Sequence, residues 1–232
     1  MKITAIKTTV FKPRADLLLF MEKYLPRIAE GDILVVTSKI VALAEGRFVA
    51  KINETEKQKI IKQESELVLP TKYVCLTVKD GIVMANAGVD ESNANGGLIL
   101  LPPDSFRSAE KIRSHFQKKH RLKKLGVIIT DSRCLPLRAG IVGVALGYAG
   151  FEGLKDYRQS KDIFGRPFHY SRVDVADSLA TAAVVCMGEG REQQPLAIIS
   201  DAPVKYSKKL YPNELKIDIK EDIYGPLFRK IK

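Results

Sequence analysis

Short apolar runs rich in β-branched residues set the strongest constraint on this chain, because a run of roughly four to eight such residues bounded by turn chemistry folds as a buried strand. Ile33-Leu34-Val35-Val36 follows the turn residue Asp32 and ends on Thr37 and Ser38. Residues 73–78 and 81–85 read as two further strands, and Lys79-Asp80-Gly81 carries the Asp-Gly chemistry of a hairpin between them. Leu98-Ile99-Leu100-Leu101 stops at Pro102-Pro103, which forbids continuation. Residues 126–130, 141–146 and 196–199 complete the set. Helical signals are fewer. Residues 105–119 read as one helix, with Ser108 as its candidate cap. Residues 174–187 read as another: Val175, Leu179, Ala182, Ala183 and Cys186 recur at near-helical spacing, and Gly188 and Gly190 end it. Residues 50–66 are polar and charge-rich and suit either a surface helix or a mobile excursion. Runs of strands interrupted by a few helices predict an α+β fold in place of a regular strand–helix alternation.

Composition narrows the function classes. With 232 residues, 45% of them hydrophobic, the chain buries a full core. It contains no apolar run near the roughly 20 residues of a membrane span, and its N-terminus lacks the order of a secretory signal, so a cytoplasmic protein is expected. Cys75, Cys134 and Cys186 are odd in number and widely spaced, which suits reduced thiols. His115, His120 and His169 have no two members at i, i+4 spacing, so zinc is not expected and any metal is a hard one held by carboxylates. A net charge of +11 favours anionic partners. The run Lys118-Lys119-His120-Arg121-Leu122-Lys123-Lys124 admits nucleic acid or a solvated, charged loop. Aromatic residues make up only 7% and Trp is absent, leaving no stacking platform, so nucleic acid is not the expected partner; a small polyanion or no specific partner remains.

Four polar constellations follow apolar segments, where a backbone leaving a sheet presents side chains to a cleft. They are Thr37-Ser38-Lys39, Asn86-Ala87-Gly88-Val89-Asp90-Glu91-Ser92-Asn93, Thr130-Asp131-Ser132 and Met187-Gly188-Glu189-Gly190-Arg191-Glu192. Asp90, Asp131 and Glu189 each read singly as a cap or turn residue. Read together they also admit a shared divalent-cation site, since such a cation needs one to three carboxylates beside substrate phosphates. Without a cation, converging carboxylates repel and raise at least one pKa. The glycines of residues 143–150 fit neither a Walker A loop nor a dinucleotide fingerprint, and close packing accounts for them. No Ser-His-Asp or Cys-His arrangement is present at meaningful spacing.

In order and spacing, the strings Gly31-Asp32-Ile33-Leu34-Val35-Val36-Thr37-Ser38-Lys39, Ala44-Glu45-Gly46-Arg47, Asn86-Ala87-Gly88-Val89-Asp90-Glu91-Ser92-Asn93 and Gly126-Val127-Ile128-Ile129-Thr130-Asp131-Ser132 resemble the coenzyme F420-0:γ-glutamyl ligase family. Lys161-Asp162-Ile163-Phe164-Gly165-Arg166 and Met187-Gly188-Glu189-Gly190 extend the likeness, which spans roughly residues 30–200. The resemblance implies one α+β domain over residues 1–232, with mixed, largely antiparallel sheets, in an intertwined homodimer. It implies an enzyme that uses GTP and Mg²⁺ or Mn²⁺ to join L-glutamate or a related amino acid to an F420-0-like carboxylate through an acyl phosphate. On that resemblance Asp90, Asp131, Ser132 and Glu189 hold metal, with Asp90, Asp131 and Arg138 catalytic. Ser38, Asn93, Met187, Gly188 and Gly190 meet the nucleotide, and Lys155 and Arg166 the anionic substrate. The alternative is a non-catalytic member that binds an anionic ligand or nucleic acid. Three stretches depart from the family pattern: Thr8-Thr9-Val10-Phe11-Lys12-Pro13-Arg14 lacks its G-x-P-x-I loop, Leu43 stands where a lysine is expected, and Cys134-Leu135-Pro136-Leu137-Arg138 keeps only the proline and last arginine of G-R-P-x-R.

Overall fold

A computed structural model describes residues 1–50 and 52–228. The first half runs β1 (Lys2–Ile6), α1 (Leu17–Tyr24), β2 (Ile33–Thr37), α2 (Ser38–Ala44), β3 (Phe48–Val49), α3 (Glu54–Gln63), β4 (Leu67–Pro70), β5 (Cys75–Lys79), β6 (Ile82–Ala85) and β7 (Leu98–Ile99). The second continues with α4 (Ser105–His120), β8 (Gly126–Cys134), β9 (Ile141–Ala149), β10 (Leu154–Asp156), β11 (Arg172–Asp174), α5 (Val175–Met187), β12 (Leu196–Ser200) and α6 (Gly225–Phe228). The α+β expectation holds. Strands order β1-β12-β2-β8-β9 in the central sheet, where β2 and β8 are the parallel pair and the other neighbours are antiparallel.

Helices cover both faces of this sheet. Leu34 and Val36 enter one core with Met21, Ala109, Ile112, Phe116, Val127 and Ile129, whereas Ile33 and Val35 enter the other with Ile128, Ala176, Leu179 and Ala183. That two-sided burial is why β2 reads as a continuous apolar run without alternation. A smaller antiparallel sheet, β4-β5-β6, stands beside it, and a third core joins Ile61 of α3 to Val89, Leu98 and Leu100. Asp80 and Gly81 both take positive φ, 54° and 76°, as the Asp-Gly hairpin requires. Among the described residues, no helix is long and apolar enough to cross a membrane.

Several elements differ from the sequence reading. α4 is capped by Asp104, whose side chain accepts from Arg107 N at 2.9 Å; Ser108 lies inside the helix and donates to Glu45. Residues 54–63 settle as a helix, closed by a capping box between Asn53 and Glu56. β8 does not end at Thr130: it continues through Asp131, Ser132 and Arg133, past a bulge where Leu146 of β9 is left unpaired between Ile129↔Gly147 and Thr130↔Ala145. The three cysteines are free.

Candidate functional site

β2 and β8 run parallel, and β2 ends at Thr37 opposite Thr130, within β8. Beyond that point β2 turns directly into α2, so Ser38 and Lys39 lie where β8 presents its polar stretch. Alternation along β8 then divides its side chains. Asp131 meets Ser38 of α2, while Ser132 meets Glu189 just past α5. A third segment comes from the small sheet. After β6 the chain makes a left-handed turn, with φ of 51° at Asn86, 55° at Ala87 and 70° at Gly88, before Asp90 pairs with Ile99. Asn86 Oδ1 accepts from Cys75 N at 2.9 Å and Thr77 Oγ1 from Ala87 N at 2.8 Å, which holds this sparsely populated backbone in place.

The contacts close into a ring. Ser38 Oγ donates to Asp131 Oδ1 at 3.3 Å, and the neighbouring Ser132 Oγ donates to Glu189 Oε1. Asn93 Nδ2 donates to the carbonyl of Gly190 at 3.4 Å. Asp90, earlier in the same loop as Asn93, meets Lys39 Nζ at 2.8 Å, and Lys39 follows Ser38. Lys39 also donates to Ser92 Oγ at 2.6 Å, while Ser92 donates through N and Oγ to Asp90 at 2.6 and 3.0 Å. Thus these contacts, joined through chain neighbours, link Ser38, Asp90, Asn93, Asp131, Ser132, Glu189 and Gly190.

Its electrostatics differ from the expected repulsion between carboxylates. Burial acts to raise the Asp90 pKa, but hydrogen bonds from Lys39 and Ser92 and the Lys39 charge outweigh it and leave the carboxyl below its ordinary value. Asp131 has its own cation in Arg133, two residues on along the same strand face. Among the described residues, no three His, Cys, Asp or Glu side chains form a group placed to hold a metal ion. The donors are nevertheless hard oxygens from carboxylates and hydroxyls, of the kind that suits Mg²⁺ or Mn²⁺.

The remaining predicted site residues have other surroundings. The Met187 side chain is buried in the α5-side core. Gly188 takes φ 80°, and a Cβ there would come within 2.6 Å of Glu192, whose Oε2 accepts from Gly190 N at 2.7 Å. Arg138 is exposed at the β8–β9 turn, Lys155 lies on β10 with Nζ 4.9 Å from the Tyr157 ring, and Arg166 is exposed between β10 and β11. None of these three is hydrogen-bonded or ion-paired to the ring. Leu43 is buried in the core beside α1 and α4, which explains an apolar residue there. The stretch after β1 approaches the site through Thr8 N, which donates to Gln193 O at 2.9 Å. Sequence reasoning put Lys39 and Ser92 in candidate stretches without giving either a role, and passed over Arg133. The available signals were a lysine beside Ser38 and an arginine at i+2 from Asp131 on a strand.

The profile described as F420-0:Gamma-glutamyl ligase matches residues 5–201. The chain is 37% identical to the Coenzyme F420:L-glutamate ligase of Methanococcus maripaludis strain C6, across 85% of this chain and 86% of that protein. It is 38% identical to the Methanocaldococcus jannaschii protein of the same name, with 77% and 79% covered. For the Archaeoglobus fulgidus protein, also so named, the identity is 35%, with 75% and 76% covered.

Proposed function

This chain belongs to the F420-0:γ-glutamyl ligase family, and we propose that it is a ligase that joins L-glutamate to a carboxylate of an F420-0-like substrate, with GTP as the phosphoryl donor. The observation that carries the reading is the closed ring of contacts from Ser38 and Lys39 through Asp90, Asn93, Gly190, Glu189 and Ser132 to Asp131. A substrate carboxylate oxygen attacks the γ-phosphorus, the bond to the β-bridging oxygen breaks, and GDP leaves. The glutamate amine then attacks the acyl carbon, loses a proton, and inorganic phosphate departs as the amide forms. Little covalent chemistry falls to the protein in the first step, so positioning and charge compensation dominate.

In this reading Asp90, Asp131, Ser132 and Glu189 hold Mg²⁺ or Mn²⁺, which when bound neutralises phosphate charge. Ser38, Asn93, Gly188 and Gly190 border the nucleotide, together with the backbone at Met187. Lys39 keeps Asp90 charged and oriented, and Arg133 holds Asp131 in place through its ion pair. Arg138, Lys155 and Arg166 are the candidates for longer-range contact with an anionic substrate, from this protomer or a second copy, and the enzyme acts in the cytoplasm as a homodimer.

The test supplies purified protein with F420-0, L-glutamate, GTP or ATP, and Mg²⁺ or Mn²⁺, and follows phosphate release and product mass. The reading expects metal-dependent phosphate release that requires both the acid and glutamate, with a mass gain of one glutamyl unit or more. Absence of such release with every combination contradicts it.

A further inference from the structure

Arg133 has a feature that its pairing with Asp131 leaves unused. Its side chain is only 7% exposed, yet it occupies a strand position directly beside the ring. Nη1 makes all of its hydrogen bonds, to Asp131 Oδ2 and to the Ser132 carbonyl at 3.1 Å. Nε and Nη2 are buried, and no described protein group accepts from either. Burying two donors unpaired is costly, and neutralising Asp131 needs only the Nη1 side. A lysine would serve that purpose with one N–H to spare in place of three. Of the three free hydrogens, that of Nε and one of Nη2 project in parallel from one edge of the guanidinium plane, at the spacing of two oxygens in a carboxylate or phosphate.

We propose that Arg133 binds substrate oxyanion through its Nε–Nη2 edge, taking two oxygens of a phosphate or a carboxylate while Nη1 stays on Asp131. The proposal rests on the ligase reading of the ring and adds to it a specificity residue. One guanidinium then links the carboxylate that orients the site to the anion that reacts there. Phosphate and carboxylate share this two-oxygen chemistry, and both occur among the substrates of the proposed reaction.

The experiment measures binding by calorimetry to the parent protein and to Arg133→Lys, Arg133→Gln and Asp131→Asn. The probes are a non-hydrolysable GTP analogue with Mg²⁺, inorganic phosphate, and L-glutamate. Both Arg133 variants are expected to weaken at least one probe about tenfold, the scale of losing a charge-assisted hydrogen bond. Loss on the analogue and phosphate assigns the fork to a phosphoryl group; loss on glutamate alone assigns it to a carboxylate. Lysine keeps the charge and lacks the fork, so failure of Arg133→Lys to rescue separates the fork from simple charge. Retention of every probe within twofold by both variants overturns the proposal, as does full rescue by lysine. If Asp131→Asn loses Mg²⁺-dependent analogue binding while the Arg133 variants keep every probe, glutamate included, the site reading stands and the arginine proposal falls. A parent that binds no probe brings down both. Should the variants fail to fold, the Arg133 Nε–H resonance of the unaltered protein decides: it shifts on titration with the effective probe, and an unmoved resonance refutes the proposal.

Discussion

Asp90 and Asp174 are both partly buried carboxyls, and they titrate in opposite directions because of what faces them. Burial raises each, but at Asp90 the hydrogen bonds of Lys39 and Ser92 prevail and lower the pKa. Asp174, the N-cap of α5, accepts from the backbone of Asp177, but burial, the charge and side-chain contact of Asp177, and the charge of Glu214 together push it up to about 6. At Asp174 the folded state therefore binds more protons than the unfolded chain between about pH 4 and pH 6, so the contribution of this carboxyl to stability falls as pH rises through that window and is level above it. Asp174→Asn keeps a good cap without the charge, and is expected to raise stability at pH 7 on the order of 1 kcal/mol after solvent screening. The urea midpoint of the variant relative to the parent should climb as pH rises from 4 to 6 and then hold; a difference that does not change with pH would count against this account. At this scale the carboxylates Asp90, Asp131 and Glu189 were legible, because a polar side chain just past an apolar run stands out. Lys39 and Arg133 were not: a cation reads as ordinary surface until the fold brings it against a particular carboxylate.

The elements that frame the site depend on a few backbone positions. Gly88 closes the left-handed turn ahead of Asp90, with φ 70°, and a Cβ there would lie 2.6 Å from Leu101 Cγ and Cδ1. Gly88→Ala adds left-handed strain to overpacking and is expected to cost about 2 kcal/mol or more, seen as a lower urea midpoint; an unchanged midpoint would refute that role. At the start of α4, Asp104→Ala is expected to cost about 1 kcal/mol, with Ser108→Ala well below it, since only Asp104 accepts from the first turn. Thermal melts of the two variants decide between the caps. β2, with both faces buried, was plain from its uninterrupted apolar run. α2 was hidden because its side chains are mostly buried and its seven residues are too few to show a polar face. The continuation of β8 was hidden for the opposite reason, as Asp131-Ser132-Arg133 has the composition of a loop and is held in the sheet by pairing with Val144, Gly143 and Val142.

Across the whole molecule, a net charge of +11 draws anionic substrates toward the surface, and their association should slow as salt rises. The basic run after residue 117 is partly engaged within the chain: Lys119 pairs with Glu22 at 2.7 Å, and Glu30 accepts from the backbone of Lys123 and Lys124. Leu135, Leu137 and Ile141 at the β8–β9 turn, and Ile163, Phe164 and Tyr170 between β10 and β11, expose apolar surface that the proposed homodimer would cover. Sedimentation at micromolar concentration is expected to give twice the 25.8 kDa chain mass, and a folded monomer would contradict the dimer. Order along the chain was enough to read the family and the α+β class; partner contacts between copies leave no such periodic trace. The central claim is that residues from four distant segments make one cation and nucleotide site. Its most direct measurement is Mn²⁺ affinity, read by electron paramagnetic resonance with a non-hydrolysable GTP analogue present, in the parent and in Asp90→Asn, Asp131→Asn and Glu189→Gln. The account predicts one Mn²⁺-dependent site weakened at least tenfold by each substitution, whereas affinity untouched by all three, or changed by one alone, would contradict it.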